Sequence, residues 1–114
     1  MKITVKEQDS YAVLEIEGSL SVDNRNYFEK YLNQFCESGK NVVIDLSRVT
    51  YIDSASLGAI LLYHALYQKN SLFFIAANVN DSIYQMFILT GMPKKIKMMN
   101  TVAEAADFIG KGGE

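Results

Sequence analysis

The chain holds one cysteine, one proline, one histidine and no tryptophan in 114 residues. A lone cysteine excludes an intramolecular disulfide. Cys36, set beside Leu32 and Phe35 at helical spacing, reads as a partly buried apolar residue and not as a nucleophile. With a single histidine and no carboxylate at close helical spacing to it, no metal-ligand set can be named. Nor does the pattern of strands and helices place His64 beside a serine and an acid, so no catalytic triad is readable. Long apolar runs are missing too: nothing approaches the ~20 residues of a membrane span. The opening MKITVKEQD is strand-like and carries no apolar core of a signal peptide. Gly110, Gly112 and Gly113 form a tail with no helix after them, so they cannot cradle a phosphate. Basic residues are scattered in a chain of net charge −2, which excludes a nucleic-acid surface. The only basic cluster, Lys94-Lys95-Ile96-Lys97, reads as a solvated edge.

What is present suffices for one packed domain. Hydrophobic residues make up 49% and charged residues 21%, an ordinary globular balance without linkers, repeats or biased segments. We expect a single domain over residues 1–110, with 111–114 as a flexible tail. Ile3–Gln8 and Tyr11–Glu17 alternate as half-buried strands do, and Asp9-Ser10 supplies a turn between them, which predicts a hairpin. Gly18 is expected to end it. Ser21 or Asp23 is placed to cap a helix running to about Glu37, with Tyr27, Phe28, Tyr31, Leu32 and Phe35 on its apolar face. A strand over 42–46 with an extension through 49–52, a helix over 54–69 and a buried strand over 71–77 follow. A helix from about 79 to 90 closes at Gly91 and Pro93, a short strand lies near 96–99, and Thr101 and Glu104 have capping-box spacing for a last helix. Strands alternating with helices after a hairpin imply an α/β domain: a mixed sheet, antiparallel at its start and parallel through helical crossovers, packed with about four helices.

The most informative stretch is VVIDLSRVTYIDSASLG, residues 42–58. An apolar strand runs into Asp53-Ser54-Ala55-Ser56, and a helix begins at once. Hydroxyls and a carboxylate at a helix N-terminus face unpaired backbone N–H groups and the positive end of the macrodipole. Capping explains such residues by itself. A phosphate there would add a charge of about −1.5 to −2 in a place that favours anions. The helix that follows has two apolar sides. Leu57, Ile60, Leu61 and His64 form one stripe; Ala55, Gly58, Ala59, Leu62 and Leu66 form another on the opposite side. A helix lying on a sheet needs only one. The second is either covered by helix 79–90 or is a docking surface, with Leu62 and Leu66 as anchors. Tyr63, Tyr67 and Tyr11 form a further aromatic group that could stack on a ligand.

The block DLSRVTYIDSASLG, the Gly18-Ser19-Leu20 step before the first helix and the order of elements resemble the STAS-domain anti-sigma factor antagonists. The resemblance spans nearly the whole chain and implies a STAS-type sheet. It further implies a non-enzymatic, cytoplasmic regulator without a cofactor. Such a regulator binds a kinase-type anti-sigma factor, is released by serine phosphorylation at the start of the central helix, and is reset by a partner phosphatase. Ser54 matches the first serine of the family's block. The second position, often the phosphorylated one, is Ala55 here, and Ser56 stands where glycine is usual. Ser54 is thus the first candidate acceptor and Ser56 the second, with Asp53 and Ser21 supporting the turn. Ser21 itself replaces a frequent aspartate, which favours binding over phosphotransfer. The resemblance also admits a stand-alone STAS interaction subunit of an ABC-type lipid transporter or a larger signalling assembly. A small-molecule binder is a third reading. None of them calls for nucleic acid or insertion into a membrane.

Overall fold

The computed structural model describes residues 1–114. Five strands form one sheet in the order β1-β2-β3-β4-β5. They are β1 (Lys2–Glu7), β2 (Tyr11–Leu20), β3 (Asn41–Ile52), β4 (Phe74–Ala77) and β5 (Lys97–Met99). β1 pairs antiparallel with β2, and every later pair is parallel. The connections are α1 (Arg25–Glu37), α2 (Ser54–Lys69) and α3 (Asp81–Thr90), with α4 (Val102–Gly110) at the end. The expected hairpin, crossovers and four helices are all present.

Alternation along the strands divides the core between the two faces of the sheet. Leu14, Ile16, Val42, Ile44, Leu46, Phe74 and Ala76 point to the face covered by α1, α2 and α3, where they meet Phe28, Leu32, Ile60, Tyr67 and Phe87. Val13, Val43, Ile75 and Ala77 point the other way and pack under Ala105 and Ile109 of α4. Where α4 does not reach, that second face is polar. Lys6 pairs with Glu15 at 3.0 Å and Arg48 with Glu17 at 3.1 Å across neighbouring strands.

Three boundaries depart from expectation. The hairpin pairing does end at Gly18, its last pair being Lys2 with Glu17, but the strand does not: Gly18 lies inside β2 at φ +93°, beside a register shift against β3. A glycine adopts that backbone without the steric cost of a Cβ, so the strand bulges and continues to Leu20. Neither Ser21 nor Asp23 caps α1. The Asn24 side chain instead accepts from the Ser21 N–H at 2.9 Å and donates to the Ser19 carbonyl at 2.8 Å, bracing a turn that delays the helix to Arg25. β4 starts at Phe74 and not at Ser71, which sits at φ +60° in the turn after α2. Thr101 caps α4 as read, accepting from the Glu104 N–H at 3.0 Å, and at α3, where Asn78, Asn80 and Asp81 all offer a polar side chain, it is Asn80 that accepts from the Ile83 N–H at 3.0 Å. The Asn80 amide also donates to the Val49 carbonyl at 2.7 Å, tying α3 to the outer half of β3.

Candidate regulatory surface at the start of the central helix

β3 delivers the chain to the rim of the sheet, and Asp53 starts α2 in extended backbone. One carboxylate oxygen, Oδ1, accepts from the Ser56 N–H at 2.8 Å and caps the helix. The other, Oδ2, accepts from the Val22 N–H at 3.0 Å, in the turn between β2 and α1. One acid thus holds two segments that are 31 residues apart in sequence. Ser21 lies in that turn, and its N–H goes to Asn24. Ser56, through its hydroxyl and then its backbone N–H, lowers the Asp53 carboxyl from its ordinary value, helped by the Val22 N–H and the Arg25 charge. The two N–H bonds have good geometry. The Ser56 Oγ is buried and makes no hydrogen bond, so the bonds that hold the carboxylate are those two backbone ones. Arg25 is itself held: its Nε lies 2.6 Å from Glu29 Oε2, an ion pair without aligned hydrogen-bond geometry.

The two candidate hydroxyls fall in opposite environments. Ser54 is exposed, and Ser56 is wholly buried. Two residues are 200° of helix turn, so the pair cannot share a side. Ser56 belongs to the stripe Ser56-Ile60-Tyr63-Tyr67, which faces the sheet and α1 and is buried throughout. Tyr67 donates to the Leu32 carbonyl and Tyr63 to Asn33 Oδ1 at 2.9 Å, so both hydroxyls are spent between α2 and α1. Burial raises both phenols, with Glu29 adding to the effect on Tyr63. Tyr11 packs on the other face of the sheet with the α4 cluster. The supposed aromatic group of Tyr63, Tyr67 and Tyr11 therefore does not exist.

The second stripe of α2 is open. Leu62 is 68% exposed and Leu66 38%, with Ala55 and Gly58 exposed and Ala59 half-buried beside them. α3 does not cover it. A Cβ built on Gly58 would meet no atom within 4 Å. The stripe starts one residue after Ser54, so an exposed hydroxyl, small residues and two exposed leucines lie close together on one surface. Sequence reasoning did not find Val22, which is 59% exposed at the turn held by Asp53, nor Arg25 beside it. Only the pairing of β2 with β3, which brings Leu20 level with Ile52, places that turn against α2.

The STAS domain family model matches residues 2–105. The chain belongs to the STAS domain family. A candidate anti-sigma factor antagonist from Thermotoga maritima is 28% identical over 103 residues, 89% of this chain and 91% of that one. The crystal structure of such a protein from the same organism superposes with a TM-score of 0.83 at 27% identity, covering 92% of each chain. The Bacillus cell-fate determinant SpoIIAA, in its phosphorylated form, has the same fold, with a TM-score of 0.74 at 17% identity over 95% of this chain and 99% of that one. The fold is that of the anti-sigma factor antagonists. No helix is long and apolar enough to cross a membrane.

Proposed function

We propose that this STAS domain is a partner-switching regulator. Its open α2 stripe docks on a kinase-type anti-sigma factor, and phosphorylation of Ser54 by that partner ends the complex until a phosphatase restores it. The observation that carries this reading is the exposure of Ser54 at the head of an uncovered apolar stripe, while Ser56 is enclosed. The relatives named as anti-sigma factor antagonists support the partner class. A phosphate on Ser54 would stand at the helix N-terminus, where N–H groups tolerate it, next to the Asp53 carboxylate, which repels it. The added charge blocks docking locally and does not require refolding. Ala55, in place of a second hydroxyl, leaves Ser54 as the accessible acceptor. It equally favours a constitutive role as a stand-alone interaction subunit, for a lipid transporter or a larger signalling assembly, in which no hydroxyl is modified.

The test uses the purified chain with kinase-type anti-sigma factors of its source organism. Wild type and Ser54→Ala bind alike; Ser54→Asp binds at least about tenfold more weakly, or 1.4 kcal/mol. Phosphopeptide mapping after incubation with ATP finds Ser54. Equal affinity of Ser54→Ala and Ser54→Asp removes the switch, leaving the constitutive reading. Leu62→Lys keeps stability within about 0.5 kcal/mol of wild type, as exposed positions do, and loses the partner. Undiminished binding moves the interface elsewhere.

A further inference from the structure

The basic cluster has no role in the switch. Its place in the fold gives it one. At the far end of α2 an open cleft of about 480 Å³ lies between that helix, the start of β4, the 3-10 turn Met92–Lys94 and β5. Its volume falls in the range of small-molecule sites, about 300–1,000 Å³. Leu72, Phe73, Phe74 and Phe108 line it, with Phe73 and Phe108 edge to face at 5.1 Å. Lys94, Lys95 and Lys97 line it as well, and no acidic residue does. None of the three lysines is among the six ion pairs of the molecule. In a chain of net charge −2, three cations within four residues, without a counter-charge, set a local positive potential over an aromatic floor. Lys97 Nζ sits 4.5 Å from the centre of the Phe108 ring, so its stem already covers part of that floor. His64, also in the lining, accepts the Lys97 N–H at Nε2, 3.2 Å away. That bond fixes β5 against α2 and shapes the wall from which the lysines project.

A solvated lysine edge needs no aromatic floor, and a packing defect needs no cluster of one sign. The combination fits a ligand with a charged head and an apolar body. We propose that this cleft binds a small amphiphilic organic anion, its carboxylate, sulfonate or phosphate head among Lys94, Lys95 and Lys97 and its flat or aliphatic body on Phe73 and Phe108. The site is separate from the switch. Ser54 lies two residues beyond the end of β3, whereas Phe74 pairs with Val42 near its beginning. Along α2, the cleft residue Gln68 lies about 21 Å from Ser54 at 1.5 Å per residue.

The probe is 8-anilinonaphthalene-1-sulfonate, titrated into the full chain and followed by fluorescence and by amide chemical shifts. N-phenyl-1-naphthylamine, which has the same rings without the charge, is the control. Binding saturates at one site and moves the amides of His64, Phe73 and Lys97. The triple variant Lys94→Gln, Lys95→Gln, Lys97→Gln weakens the anionic probe about tenfold or more, since each exposed ion pair adds a modest factor, and changes the neutral probe less than twofold. Raising the salt weakens the anionic probe in wild type only. If the triple variant fails to fold, the single reversal Lys95→Glu on the exposed turn carries the same comparison. Equal affinity of the anionic probe for wild type and variant overturns the proposal, as do shifts confined to the Leu62 side of α2. No response to the anionic probe, with the same amides moved by an acidic peptide, also overturns it and makes the cleft a protein-binding surface.

Discussion

Replacing Gly58 by alanine separates what α2 does for its own shape from the docking role proposed for it. Gly58 lies in the second turn of the helix, is absent from the positive-φ glycines, and has open space where a Cβ would stand. Alanine in an exposed helix interior is more favourable than glycine by about 0.8–1.0 kcal/mol, partly because glycine loses more freedom on folding. With nothing to strike, the full gain should appear. For a domain of this size, each kcal/mol is worth about 3–6 °C in Tm, between the values for smaller and larger domains. Gly58→Ala should therefore melt about 3–6 °C higher by circular dichroism. Binding should move the other way. Ala55, Gly58 and Ala59 let a docked backbone come close, and a methyl forced into a packed contact costs about 1–3 kcal/mol, or roughly fivefold to a hundredfold in affinity. A Tm at or below wild type would refute the packing argument. A raised Tm with unchanged affinity for the anti-sigma factor would refute close approach at this stripe.

Three further outcomes follow from the same geometry. Because hydrogen bonds from Ser56 and Val22 depress the Asp53 carboxyl, its contribution to stability is complete above the ordinary value of 3.8 and is lost as the pH falls through the lower folded value. Urea midpoints at pH 7 and pH 3 should fall further for wild type than for Asp53→Asn, and a parallel fall would contradict the assignment. Burial lowers His64 from 6.5, so the unfolded chain takes up its proton first and stability declines as the pH drops below 6.5. His64→Gln keeps an acceptor for the Lys97 N–H and should flatten that slope between pH 7 and pH 5. Tyr67→Phe removes the side-chain bond to the Leu32 carbonyl, which keeps its helical partner within α1, and should cost about 0.5–1.5 kcal/mol in chemical denaturation; a neutral effect would mean that water replaces the hydroxyl.

The elements with unambiguous local chemistry were legible in the sequence. Asp53, Asn80 and Thr101 are each a polar cap ahead of a helical pattern, and each caps its helix. The hairpin followed from alternation. Gly18 misled because a glycine that ends a strand and one that bulges it look alike; only the register against β3 tells them apart. The start of α1 misled because Asn24 turns its side chain back on Ser19 and Ser21, so Ser21 and Asp23 have no helix to cap. The block from Asp53 marked the candidate site and put Ser54 ahead of Ser56, but the burial that separates the two was not legible. α2 is apolar on both sides, so its pattern did not say which side meets the sheet. The answer lay in Tyr63 and Tyr67, whose bulk fills the space against α1 and draws Ser56 inward with them. Val22 and Arg25 enter the site through strand pairing, which leaves no local trace.

The two borders of the sheet limit how another chain can approach. β1 carries Lys2, Lys6 and Glu7 exposed along its length, and β5 offers three residues. Charge on one margin and brevity on the other discourage a visiting strand from extending the ladder. Recognition through main-chain zippering is thereby discouraged, which leaves side-chain contacts as the route by which another chain would pack on this sheet.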